Sequence, residues 1–219
     1  VVKKKLRVSR IKMGVLAAGV AAAGALLWFG TGHKNPIPVP LYTVSRVFDG
    51  DTFETAEKQY IRLSGIDAPE LGRCGSKEAT KELERLVLKT PVYIKILYHT
   101  GARSNGLVYS KDVLVNGAIL ASGWAVMNDR DNVDLPELYR AAAEARSKKI
   151  GIFSSKCTQT INATCPIKGN IGVNSKKIYH TPDCTQYKNV IVELYKGDAW
   201  FCTEKEAKAA GFTKNPDCP

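Results

Sequence analysis

Short runs in which large apolar residues alternate with polar ones begin near Leu41, each closing after a few positions on turn-forming residues. Alternation with period two puts one face of a strand in a core. It predicts strands over residues 42–48, 52–55, 60–66, 92–98 and 107–115. Residues 77–88, 117–122 and 135–148 read as helices. In the last, Leu138, Ala141, Ala142 and Ala145 recur at helical spacing, and Gly151 stops the pattern. Five short strands with three interposed helices suit a small barrel in an α+β, mainly β, domain over residues 41–157.

Upstream the pattern differs. Residues 13–32 form an uncharged run preceded by Lys3, Lys4, Lys5, Arg7, Arg10 and Lys12. About 20 apolar residues span a bilayer, and flanking cations stay on the cytoplasmic side, so residues 1–32 are expected to be a transmembrane signal anchor. The small residues Ala21 to Ala25 leave cleavage of a secretory signal as the alternative. Either reading puts the rest of the chain outside the cytoplasm. Pro36, Pro38 and Pro40 make residues 33–40 an extended spacer.

Residues 158–166 are polar and read as a linker to a small α+β module over residues 167–219. A unit of that size needs staples beyond its own core. Its helix is marked by Thr203 and Glu206 as a capping box and by Gly211 where a C-terminal cap belongs.

The formal charge of +11 changes little, because the six cations before Met13 inflate it. Residues 35–164 carry 17 basic against 15 acidic side chains, so bulk basicity does not by itself indicate a polyanion partner. Candidate chemistry is local. Asp49, Gly50 and Asp51 form one turn, and Arg62, Asp67, Ala68, Pro69 and Glu70 follow within a strand and the loop after it. Carboxylate oxygens such as those of Asp51 and Asp67 suit Ca²⁺. Glu70 can act as a base toward water, and the planar fork of Arg62 can hold a phosphoryl oxygen.

These segments resemble the signature of the staphylococcal nuclease family, Asp-Gly-Asp-Thr, then Arg-Leu, then an Asp-x-Pro-Glu loop. The likeness extends over residues 43–157, through Val115-Asn116, Gly123-Trp124-Ala125 and Gly151-Ile152-Phe153. It implies a five-stranded OB-fold barrel with three helices and endonuclease action on DNA and RNA that leaves a 3′-phosphate. By the same resemblance Asp51, Asp67 and the Ala68 carbonyl bind calcium with Asp49 behind them, Glu70 is the general base, and Arg62 and a second arginine meet the phosphate. Gapless counting from Val115-Asn116 gives Arg103 as that second arginine, whereas matching Gly106-Leu107 gives Asn105. The family's base-stacking aromatics have no equivalent around Met127, Asn128 and Asp129. Nucleic acid and, through the anchor, a membrane are the partners implied. No protein partner is identifiable, a monomer is expected, and the rival reading is a tethered, non-catalytic binder of nucleic acid or wall polymer.

All six cysteines follow the apolar run, and an even count in an exported chain favours disulfides. Exported relatives of the family imply a pair between Cys74 and Cys157. The C-terminal module resembles small units appended to secreted bacterial nucleases, related in pattern to the metal-binding domain of the Ada repair protein. Cys165, Cys184, Cys202 and Cys218 are expected as disulfides, with zinc on His180, Cys184, Cys202 and Cys218 the alternative.

Overall fold

A computed structural model describes residues 40–219. The expected N-terminal anchor and most of the spacer lie outside those residues. Among the described residues no helix is long and apolar enough to cross a membrane.

The first domain is a nearly closed, barrel-like sheet. Its strands are β1 (Leu41–Tyr42), β2 (Val44–Val47), β3 (Thr52–Thr55), β4 (Tyr60–Leu63), β5 (Ile66–Asp67), β6 (Val92–Thr100), β7 (Arg103–Ser110), β8 (Val113–Leu114) and β9 (Val126–Met127). The main order is β1-β6-β7-β4-β3-β2, with β8 on β7, and β5 pairs separately with β9. Because β1 pairs with β6 and β2 with β3, the segment from Leu41 to Val47 touches both ends of the sheet and draws it toward closure. Most pairs are antiparallel, but β4 and β7 run parallel. Phe53, Ile61, Leu63, Ile66 and Val108 are buried with Leu83, Ile119 and Leu138 of the helices α1 (Ser76–Val87), α2 (Val115–Ala121) and α3 (Pro136–Ser147). The mainly β barrel with helices matches expectation at that level.

Two local expectations are corrected. The strands expected over 92–98 and 107–115 reach further toward each other: β6 runs to Thr100 and β7 begins at Arg103, across a turn at Gly101 and Ala102. Backbone pairing carries the ladder through the turn-forming residues Ser104, Asn105 and Gly106, because its hydrogen bonds do not depend on side-chain type. Residues 158–166 are not a free linker either. Thr158–Gln159 is strand β10, paired with β13 (Val192–Glu193), and the Leu194 amide donates to the Cys157 carbonyl at 2.9 Å.

The second domain holds β11 (Ile167–Ile171), β12 (Lys177–His180), β14 (Ala199–Phe201) and β15 (Thr213–Lys214) in the order β14-β11-β12-β15, with α4 (Glu204–Ala209) packed beside them. Thr203 accepts from the Glu206 amide at 3.2 Å, while the Glu206 carboxylate takes the Cys202 amide at 2.9 Å. The reciprocal bond of the capping box therefore lands one residue upstream of Thr203.

Cys74 pairs with Cys157, Cys165 with Cys202, and Cys184 with Cys218. Although His180 clusters with Cys184 and Cys218, both sulfurs are spent in one disulfide, so the zinc alternative lacks its thiolates. Residues 40–219 pack within one unit. Tyr195 of the second domain is buried in a cluster with Ile152, Phe153 and Cys157, its ring edge-on to Phe153 at 6.0 Å.

Candidate active site

Asp51 is pinned from every side. Its amide donates to Asp49 Oδ1 at 3.0 Å, and its carbonyl accepts the Leu63 amide at 2.8 Å. The Thr52 hydroxyl donates to Oδ1 at 2.8 Å and the Ala68 amide to Oδ2 at 2.9 Å. Gly50 makes this possible by close approach and not by an unusual turn. A Cβ there would stand 2.5 Å from Cβ of Ala79 on α1 and 2.7 Å from Cβ of Ala68. Any side chain at position 50 would push the Asp49–Asp51 turn off the loop that carries Asp67 and Glu70.

Arg62 projects from β4 onto both carboxylates. Nη1 donates to Asp51 Oδ1, and Nη2 donates to Asp67 Oδ1 at 2.5 Å. Asp51 is only 2% exposed, whereas Asp67, at the end of β5, is open to solvent. Burial pushes the Asp51 carboxyl up to about 7, against the opposing pull of Arg62 and the Ala68 amide. Burial works against the Arg62 charge too, but Asp51, Asp67 and Asp49 outweigh it and hold the guanidinium above its usual range.

A cleft of ≈ 410 Å³ gathers Arg62, Asp67, Glu70, Arg103 and Asn105. Glu70 stands exposed in it. The parallel pairing of β4 with β7 sets Asn105 opposite Arg62 and Arg103 opposite Tyr60. Since side chains two apart share a face, both β7 residues reach the cleft. Asn105 is buried and donates to Thr100 Oγ1 at 3.1 Å, while Arg103 keeps a buried Nε with no hydrogen-bond partner among the described residues. An unpartnered buried donor beside a candidate anion site is a group waiting for an acceptor.

The sequence reading missed Tyr98 and Arg130, which line the same cleft, with Asp131 beside them. Tyr98 donates to Asp131 Oδ1 at 2.8 Å, and Asp131 Oδ2 takes the Gly65 amide at 2.7 Å. The cleft's aromatic comes from the end of β6 and not from residues 127–129. Tyr98 already stood at the end of the strand expected over 92–98, but nothing in the sequence placed that strand end beside the cleft.

Support behind the site comes from Asn116, fully buried on α2. Its Nδ2 donates to the carbonyls of Ser64 at 2.8 Å and Gly106 at 3.2 Å, and its Oδ1 accepts the Val108 amide at 3.0 Å. One side chain thus ties the end of β4 to β7, the two strands that carry Arg62, Arg103 and Asn105.

The donor set fits a hard cation. Two carboxylates converge on one guanidinium, every candidate ligand is an oxygen, and the buried Asp51 gains from any positive charge that offsets its desolvation.

Residues 60–155 match the family model described as staphylococcal nuclease homologue, and residues 159–214 match the model described as ArfC. No curated protein matches the chain. The first match begins at Tyr60, so the Asp49–Asp51 turn rests on the geometry above. A domain of this kind supports a nuclease-type or nucleic-acid-binding function. By fold, motif and family model together, the chain carries a staphylococcal nuclease homologue domain at residues 60–155.

Proposed function

We propose that the chain is a calcium-dependent nuclease that hydrolyses phosphodiester bonds of DNA or RNA outside the cytoplasm. The observation that carries this reading is the Arg62 guanidinium spanning Asp51 and Asp67 at the edge of a cleft that also holds Glu70 and Arg103. Asp51, Asp67 and the Ala68 carbonyl would hold calcium, with Asp49 fixing the Asp51 backbone behind them. Bound there, the ion supplies positive charge to the phosphoryl group.

The remaining chemistry belongs to side chains. Glu70 accepts the proton of the attacking water, which a carboxylate exposed in the cleft can do directly, as the P–O5′ bond breaks and the departing oxygen takes a proton from solvent in the open cleft. Arg62 exchanges carboxylate partners for phosphoryl oxygens, since its fork fits either. Arg103 offers Nε and its terminal nitrogens to the charge that develops in the transition state. Three disulfides support an oxidising compartment, and the proposed location is outside the membrane on the N-terminal anchor, or free after signal cleavage.

One observation favours the rival reading of a binder with little or no turnover: an asparagine, not an arginine, stands opposite Arg62. Incubation of end-labelled DNA with the protein and calcium, then with excess chelator, separates the two. Chelator-sensitive fragmentation supports the nuclease, and retention of intact DNA under both conditions supports the binder.

A further inference from the structure

The second domain closes on the candidate active site. Arg73 lies three residues after Glu70, with its amide bonded to the Glu70 carbonyl at 3.0 Å. Its Nη1 donates to the Lys196 carbonyl of the second domain at 2.7 Å. Gly197, at φ +93, lets that guanidinium lie against the backbone, because a Cβ there would sit 3.2 Å from Arg73 Cζ and Nε. The Cys74–Cys157 disulfide holds the same loop one residue further on.

Between the domains lies a cleft of ≈ 640 Å³. It shares Asp67, Glu70 and Arg130 with the barrel cleft, so the two are continuous across the candidate base. Arg73, Arg130 and Lys196, all exposed, supply its cations. The second domain, which carries Lys196, adds Asn174 and Ser175 to the lining.

We infer that the cleft between the domains is a second subsite for a single-stranded nucleic acid, gripping the phosphodiester backbone beyond the scissile bond. The inference rests on the nuclease reading and assigns the second domain a part in it. The barrel cleft, with Arg62 and Arg103, takes the reacting phosphate. The chain of nucleotides then passes Glu70 and runs along Arg130 and Lys196. Lys196 is the pivotal residue, because among the described residues its ammonium forms an ion pair with the partly exposed Glu193 alone, a surface pair that a phosphate can displace. Arg73 is a positioning residue whose guanidinium is already committed to the second domain.

The test is salt-dependent binding of a fluorescent oligothymidylate of about 12 nucleotides, within the range of single-strand sites. It uses the full chain carrying Glu70→Gln, in calcium, with Lys196→Gln or Arg130→Gln added. Glutamine removes the charge but keeps a polar side chain, and melting temperatures check that each variant is folded. Each added substitution is expected to lower the slope of log K against log salt by about 0.7, the value for one lost single-strand phosphate contact. Unchanged slopes for both, with binding otherwise intact, overturn the subsite and leave the nuclease reading standing. If the unsubstituted chain neither binds the oligomer nor cuts DNA, the nuclease reading fails and the subsite falls with it.

Discussion

Arg62 and Asn105 stand directly opposite each other on the parallel strands β4 and β7, and Arg103 falls one alternation further along the same face. A cleft meant to neutralise a phosphoryl group needs a second cation near the first, and Arg103 is the residue of β7 that can provide it. Arg103→Ala is therefore expected to lower kcat by about 100-fold or more, the scale seen when one donor to a developing oxyanion is removed. Arg103→Lys should restore part of it. Steady-state kinetics on single-stranded DNA decide the matter, and a kcat unmoved by Arg103→Ala would show that it has no part in the reaction.

Asn116 makes a different kind of contribution. Asn116→Ala strands the Val108 amide and leaves the Ser64 carbonyl short of a donor in a fully buried setting, whereas the Gly106 carbonyl keeps the Ser64 amide at 2.9 Å. At about 1–3 kcal/mol per unsatisfied group, a loss of about 3 kcal/mol is expected in urea melts. A loss below about 1 kcal/mol would mean that the strands are held by something else.

The Cys74–Cys157 bond closes a span of 83 residues around the loop that follows Glu70. A paired Cys74→Ala, Cys157→Ala variant is expected to lose about 2–5 kcal/mol of stability. It should also lose more activity than its folded fraction explains, because the same loop carries Arg73 to Lys196. Activity that merely tracks the folded fraction would limit the disulfide to a stabilising role.

What the sequence made legible, and what it hid, follows from the range of the forces involved. The turn Asp49–Asp51 and the loop 67–70 could be read as a site because each is a short segment whose chemistry sits in adjacent residues. The parallel register that puts Asn105 opposite Arg62 could not, since it depends on pairing between strands some 40 positions apart. Gly50 suggested a tight turn, yet its cause is the approach of Ala79 and Ala68, which only the folded chain brings near. Residues 158–166 read as a linker because they are poor in large apolar groups. Their order comes from backbone pairing to Val192–Glu193 and from Trp200 Nε1 donating to Gln159 Oε1 at 2.8 Å. The docking of the second domain, through Tyr195 and the Lys196 carbonyl, left no local pattern at all.

Asp51 gives the site a pH dependence whose sign can be stated. Its carboxyl, raised by burial from 3.8 to about 7, holds a proton more tightly in the folded metal-free protein than in the unfolded chain. That contribution to stability is complete below the unfolded value and is lost as pH rises through about 7. Under the proposed function calcium binds the carboxylate, so it must displace that proton at low pH. The rise in melting temperature on adding calcium should therefore be small near pH 5, about two units below the midpoint, and should grow through neutrality. A calcium effect independent of pH across that window would remove Asp51 from the ligand set.

The most direct measurement is the single-turnover rate of DNA cleavage by Glu70→Gln in saturating calcium, with calcium affinity measured calorimetrically on the same protein. A rate about 100-fold or more below that of the unsubstituted chain, at unchanged calcium affinity, is the expected result for loss of a general base beside an intact cation site. Cleavage at the original rate would contradict the site described here.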